Sequence, residues 1–184
     1  MRSSTRIAAA IASAGLAAAA MAAPVAAKQP APAPNLVTTA IEVNDATGLF
    51  DTVLAAAQCE YFGDAIVDVL SARGQLTLFA PTDDAFSALG LDPTNVCTTF
   101  ASEPAVLADI LTYHVAKGSR DAGSVLDSTQ IRMLNRDRVS VNAADVALVD
   151  GLGREANIIV TDVFSGNGVI HAIDSVLLPP GFGA

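Results

Sequence analysis

The spacing of the apolar residues changes once along this chain, near residue 129, and that change decides the fold class. Before it, apolar positions recur at helical spacing, and residues 36–72 read as helices. Leu49, Val53, Leu54 and Ala57 share one face of "LFDTVLAAAQ" (49–58), and "DAIVDVLSA" (64–72) repeats the pattern until Gly74 stops it. "SEPAVLADILTYHV" (102–115) is a well-marked helix. Ser102 is its expected N-cap, Pro104 falls in the first turn where no hydrogen bond is lost, and Val106, Leu107, Ile110 and Leu111 make its apolar face. One strand, "QLTLFAP" (75–81), interrupts the helices. Thr82 follows it as an N-cap, with Asp83 and Asp84 in a first turn that suits negative charge and Phe86 and Leu89 facing inward.

After residue 129 the period is two. "TQIRML" and "RVSVN" read as paired strands around "NRD" (135–137), and "DVALV" as another strand. "NIIVTDVF" (157–164) and "GVIHAIDSVLL" (168–178) flank "SGNG", a hairpin signal. Helices followed by a mostly antiparallel sheet make an α+β domain. No internal repeat is present.

The first residues belong to a different class of segment. Arg2 and Arg6 precede an apolar run from Ile7 to about Ala20, and "AMA" (20–22) and "VAA" (25–27) both have the small-residue pattern of a cleavage site. Residues 1–27 are expected to be a secretory signal peptide, 28–35 a Pro/Ala-rich tether, 36–180 one domain and 181–184 a short tail. No stable transmembrane segment is expected after cleavage. Taking out Arg2 and Arg6 leaves eight basic against nineteen acidic side chains, a formal charge of −11 against −9 for the whole chain. So acidic a chain is no general binder of nucleic acid or anionic membranes. In an exported chain the two cysteines, Cys59 and Cys97, point to one disulfide, contributing roughly 4 kcal/mol by loop closure; two buried free thiols are the competing reading.

Three segments then carry a family likeness. "TLFAPTDDAFSAL" (77–89), "ILTYHVAKG" (110–118) and "NIIVTDVFSGNGVIHAIDSVLLPP" (157–180) resemble, in order and spacing, the motif blocks of the fasciclin domain, and the likeness runs over about residues 36–180. The resemblance implies a wedge of two mostly antiparallel β-sheets with an N-terminal helical layer. It also implies secreted or periplasmic location, a role in adhesion, and no enzymatic activity. Tyr113 and His114 match the family's Tyr-His pair, which some animal members are thought to use in integrin contact. "EANII" (155–159) lies where some animal members carry Glu-Pro-Asp-Ile-Met. Only Glu155 and Ile158 match; Ala156, Asn157 and Ile159 depart, and the acidic residue wanted by an integrin-bound metal is absent.

The chemistry-bearing residues point away from catalysis. There is no "GxSxG", no "HExxH" and no calcium-loop pattern, and the two histidines stand far apart at 114 and 171. No metal or cofactor is expected. His171 sits inside the apolar strand "VIHAID", where it reads as a core polar anchor. Asp174, three residues on, points to the other face of an extended strand, which disfavours a His171–Asp174 pair. Thr82 and Asp83 read as structural caps. Tyr113 and His114 close a helix and have two readings, packing with carbonyl satisfaction or a binding surface. "RMLNRDR" (132–138) gathers Arg132, Arg136 and Arg138 around a hairpin tip, a basic spot suited to carboxylates or acidic polysaccharide.

The expected function is non-enzymatic binding of a cell-surface or matrix protein or polysaccharide. The candidate contacts are Tyr113, His114, Glu155, Asn157, Ile158 and the three arginines. A second expectation is a small apolar ligand or lipid, held in a cleft between helices and sheet. A hydrolase with an unrecognised triad ranks below both.

Overall fold

A computed structural model describes residues 33–182. The expected signal peptide and most of the expected tether lie outside the described residues, as do the last two residues of the tail. Where the described chain begins, Asn35 caps the first helix and the Pro34 carbonyl accepts from Gly166 N–H at 2.7 Å. Where it ends, Phe182 packs against an apolar cluster.

The helical layer forms for local reasons. Helix α1 (Leu36–Thr47) starts at Asn35, whose side chain accepts from Thr38 N–H at 2.9 Å, and stops at Gly48 in the left-handed conformation that glycine tolerates. Leu36, Thr39 and Ala40 give it a buried face at helical spacing. Helix α2 (Asp51–Ala57) has no side-chain cap of its own. Asp83 supplies one from outside, its carboxylate accepting from Thr52 N–H at 2.7 Å and Asp51 N–H at 3.2 Å. A single 3-10 turn (Glu60–Phe62) leads to α3 (Ala65–Ser71).

Strand β1 (Leu76–Pro81) is followed by the short helix α4 (Asp83–Ser87), with Thr82 as N-cap. Phe86 is buried, but Leu89, expected inward, is 39% exposed because α4 ends at Ser87 before the face returns to the core. Helices α5 (Val96–Thr99) and α6 (Pro104–Tyr113) come next. The expected Ser102 cap is not made: Glu103 holds the N-cap position and the helix starts directly on Pro104. The remaining elements are β2 (Val115–Lys117), α7 (Ala122–Leu126), β3 (Gln130–Arg132), β4 (Arg138–Asn142), β5 (Ala147–Val149), β6 (Glu155–Ser165) and β7 (Gly168–Ile173). No helix among the described residues is long and apolar enough to cross a membrane.

The strand order is β2-β1-β7-β6-β5-β4-β3, all antiparallel except the central β1–β7 pair, which is parallel. The two sheets are joined through β6. Its first residues pair with β5, and from Ile158 onward it pairs with β7. Two register shifts between Ile158 and Val163, with Asp162 at φ 60°, bend the strand where the sheets meet. The far edges then come together: Ala116 of β2 bridges Met133 after β3, and Leu134 N–H donates to the Val115 carbonyl at 2.7 Å. The sheet thus curls into a wedge around a core of Phe79, Tyr113, Ile131, Val139, Leu148, Ile173 and Leu177.

Strands β1 and β7 are covered on both faces, which explains their unbroken apolar runs. Phe79 and Ile173 face the wedge core, while Leu78, Ala80, Ile170 and Ala172 face the helices. Backbone approach is closest at Gly168, where a Cβ would stand 2.1 Å from the Leu76 carbonyl oxygen. The arm read as a strand to residue 178 leaves the sheet after Ile173. Val176, Leu177 and Leu178 still bury their side chains, and their backbone turns to side-chain partners instead of a neighbouring strand.

Candidate functional site: the outer face of the sheet

Strands β3 to β6 turn one face into the wedge and, apart from the buried Ala147, leave the other at least partly open to solvent, and the register decides what that face displays. Ile131, Val139, Leu148, Ala156 and Ile158 point into the wedge. On the opposite face Gln130, Ser140, Val149 and Glu155 lie in one cross-strand row. Asn142, Ala147 and Asn157 form the next row on one side, and Arg132 pairs with Arg138 on the other. Three interstrand steps separate Arg132 from the β6 residues, roughly 14 Å. Four residues singled out in two separate sequence segments, Arg132, Arg138, Glu155 and Asn157, therefore project from one surface.

Their chemistry differs. Arg132 and Arg138 are directly opposite, exposed and like-charged, an arrangement that costs a few tenths of a kcal/mol or more. Arg138 Nη1 donates to Gln130 Oε1 at 3.1 Å, and among the described residues neither guanidinium has a carboxylate within 4 Å. The only ion pair among the described residues is Arg154–Asp150 at 2.7 Å. Asp137, the nearest acid in sequence, instead accepts from Asn135 Nδ2 at 3.0 Å. Arg136 lies in the turn at φ 83° and is exposed. Glu155 accepts from Asn142 Nδ2 at 3.0 Å. Asn157 is committed to structure: its backbone N–H and Nδ2 both donate to the Asp174 carboxylate, at 2.8 and 2.7 Å. Ile159 and Val160 within the bend of β6 and Phe164 past it are exposed, Phe164 at 65%.

Three of the candidate contacts are corrected. Ile158 belongs to the wedge core. Tyr113 is fully buried because the last turn of α6 closes against the inside of the sheet, and its hydroxyl donates to the Arg138 carbonyl at 2.9 Å. Burial pushes its phenol up to about 12. His114 is buried as well. Its Nδ1 meets the Ile110 carbonyl at 2.7 Å, and its Nε2 accepts from Leu177 N–H at 2.9 Å. These partners select the neutral tautomer protonated at Nδ1. Burial lowers the imidazole to about 4, against smaller upward pulls from the Ile110 carbonyl and Asp150.

His171 is fully buried and stacks on Phe79, ring centroids 5.6 Å apart. Its Nε2 donates to the Arg120 carbonyl at 2.8 Å and its Nδ1 accepts from Asp162 N–H at 3.3 Å. It shares no partner with Asp174. Cys59 and Cys97 are disulfide-bonded, with Cα atoms 5.5 Å apart.

Sequence reasoning passed over three residues. Asp150, the first residue of the turn segment "DGLG" (150–153), accepts from Leu152, Arg154 and Leu178 backbone N–H groups and from the Arg154 guanidinium. Asp162, at the bend of β6, caps α7 through Ala122 N–H at 2.8 Å. Asn167, read only as a turn residue of "SGNG", is buried. Its Oδ1 accepts from Leu36 N–H at 2.7 Å, and its Nδ2 donates to the carbonyls of Leu70 and Ala72 at 2.8 and 3.1 Å. A polar residue in a hairpin turn gives no local signal of such distant partners.

Comparison with known proteins agrees with this fold. The family model described as "Fasciclin domain" matches residues 50–179. The chain belongs to the fasciclin domain family. The uncharacterized protein sll1735 of Synechocystis is 34% identical over 146 residues, covering 79% of this chain and 98% of that one. The transforming growth factor-beta-induced protein ig-h3 of Oryctolagus cuniculus is 32% identical over 142 residues, which are 77% of this chain and 19% of the relative. Among solved structures, a fasciclin-domain pair from the insect cell adhesion molecule fasciclin I superposes with a TM-score of 0.51. It does so over 69% of this chain and 45% of the other, at 20% identity, a likeness of fold alone.

Proposed function

We propose that this is an exported, non-enzymatic fasciclin-domain protein that binds a macromolecule at the cell surface or in the extracellular matrix. Its contact surface is the outer face of β3–β6, and its partner is a polysaccharide or protein rich in carboxylate or sulfate groups. The observation that carries the reading is the Arg132–Arg138 pair: two facing guanidiniums, exposed and unneutralised, in a chain of net charge −9. An anionic partner would relieve their repulsion and use their free donors bidentately. Export is supported by the pattern of residues 1–27, and a binding role by membership of the fasciclin domain family. The non-enzymatic reading is supported by the two imidazoles, each of which bonds only backbone groups.

The test is retention of the protein on an immobilised acidic polysaccharide across a salt gradient. Retention should fall with salt, as expected for exposed charges. The double variant Arg132→Ser/Arg138→Ser should elute with the void at an unchanged or raised melting temperature. A double variant retained like the parent would reject the sheet face as the contact surface.

A further inference from the structure

A void in the helical half of the domain is left unused by the sheet-face reading. It measures about 50 Å³ and lies between α1–α3 and the sheet, with Leu36, Ala40, Leu54, Leu70, Leu78 and Leu134 among its walls. Its lining is apolar, Phe50 and aliphatic side chains, apart from Gln58, Thr112 and His114. The Thr112 hydroxyl is held by the Ala108 and Asp109 carbonyls, and both nitrogens of His114 are engaged. Gln58 is exposed. The inner part of the void therefore offers contacts to hydrocarbon and no free hydrogen-bonding group.

Its outer wall is under-packed. Not one residue from 60 to 76 is buried, between Cys59 and Thr77, which are. Five of the seven residues of α3 are apolar, yet all keep solvent contact, Val69 at 43%. Ile66 and Leu70 touch the core clusters, but the exposure of Val69 is not explained by the closed structure alone. The segment is anchored at its two ends. The Cys59–Cys97 disulfide precedes it, and the Asn167 carboxamide holds the carbonyls of Leu70 and Ala72 near its end. Gly63 and Gly74, both at positive φ, flank α3 at the positions where a hinge would turn.

We infer that α3 is a lid over a binding site for one uncharged hydrocarbon chain, of the class of a long-chain alcohol or neutral acyl ester. With α3 seated, the void holds only a few methyl groups, well short of the ~300 Å³ of a small-molecule site. The chain enters as α3 lifts, and its bound methylenes cover Val67, Val69 and Leu70. The charge around the site disfavours an anionic occupant: residues 36–74 carry six carboxylates (Glu42, Asp45, Asp51, Glu60, Asp64 and Asp68) against one cation, Arg73. An anionic head group would be repelled there. This site is separate from the sheet face and does not depend on it.

The probe is dodecanol, with dodecanoate as its charged counterpart, titrated into the full chain at neutral pH and low salt. One saturable dodecanol site is expected, with slowed amide exchange over residues 65–71 and dodecanoate weaker by about tenfold or more. Ala40→Leu, which fills the void from α1, should weaken dodecanol binding by about tenfold or more at unchanged polysaccharide retention. If that variant does not fold cooperatively, Asn167→Ala, which frees one end of the lid, should speed dodecanol association severalfold. Absence of a saturable site, or protection outside residues 65–71, would overturn the inference. So would undiminished binding by a folded Ala40→Leu variant, an unchanged association rate in Asn167→Ala, or dodecanoate binding as tight as dodecanol.

Discussion

Acid should destabilise this domain in a window set largely by His114. The ring is enclosed, donates from Nδ1 to Ile110 and accepts at Nε2 from Leu177 N–H. A second proton would have to sit at Nε2, against a backbone N–H that already points there. Burial, the largest influence, holds the imidazole at about 4 in the folded protein against an ordinary 6.5. The unfolded chain therefore takes up a proton first as pH falls. The stabilising contribution is complete above 6.5, erodes below it and is exhausted near 4. A difference of about 2.5 pKa units corresponds to about 3 kcal/mol, a large share of the ~5–15 kcal/mol that stabilises a typical domain. The assay is urea unfolding of the parent and of His114→Gln at several pH values between neutral and 4.5. Glutamine offers a donor and an acceptor without titrating, so it lowers stability at neutral pH but removes this slope. The stability gap between the two proteins should close by about 2–3 kcal/mol over that range. Asp92 and Asp121, whose carboxyls are lowered mainly by side-chain bonds to Thr94 and Ser124, act equally in both proteins and cancel in the difference. Parallel stability curves would refute the reasoning, because they would mean that His114 titrates alike in both states.

Two further outcomes concern the anchors of the helical layer. Replacing both Cys59 and Cys97 with alanine should cost about 4 kcal/mol, given their sequence separation of 38, while near-ultraviolet circular dichroism still reports a folded core. Loss of all tertiary signal would show that the helical and sheet halves cannot hold together without the bridge. Asn167→Ala strands one N–H and two carbonyls, so a loss of about 3 kcal/mol is expected in urea unfolding, with faster amide exchange in α1 and α3. A loss below ~1 kcal/mol would mean that water replaces the carboxamide.

Local rules carried much of the fold. The helical spacing of residues 36–72 and 102–115 and the alternation after residue 129 marked most elements in place, although the helix read to residue 115 stops at Tyr113 and β2 went unread. Turn chemistry paired β3 with β4 and β6 with β7. The short helices α5 and α7 went unread, since four or five residues do not complete a period. The Ser102 cap failed because Pro104 starts the helix without one. The C-terminal arm was read too long because "SVLL" is as apolar as a strand, although its backbone partners are the side chains of His114 and Asp150.

The candidate site was legible only in pieces. The arginines of "RMLNRDR" and the polar positions of "EANII" could be named from the sequence, but nothing local says that they share a face. That follows from the β3–β4–β5–β6 register, which joins residues 25 positions apart in the chain. Tyr113 and His114 show the converse. Their residue types permitted a surface role, and only the closure of α6 against the curled sheet decided that they are buried. Periodicity determined the class of fold because each helix or strand carries its own period in a few consecutive residues. Sheet register, the curl at the β6 bend and the long reach of Asn167 were settled by tertiary structure, because a hydrogen-bonding group or an apolar face does not specify its distant partner until packing brings the two together.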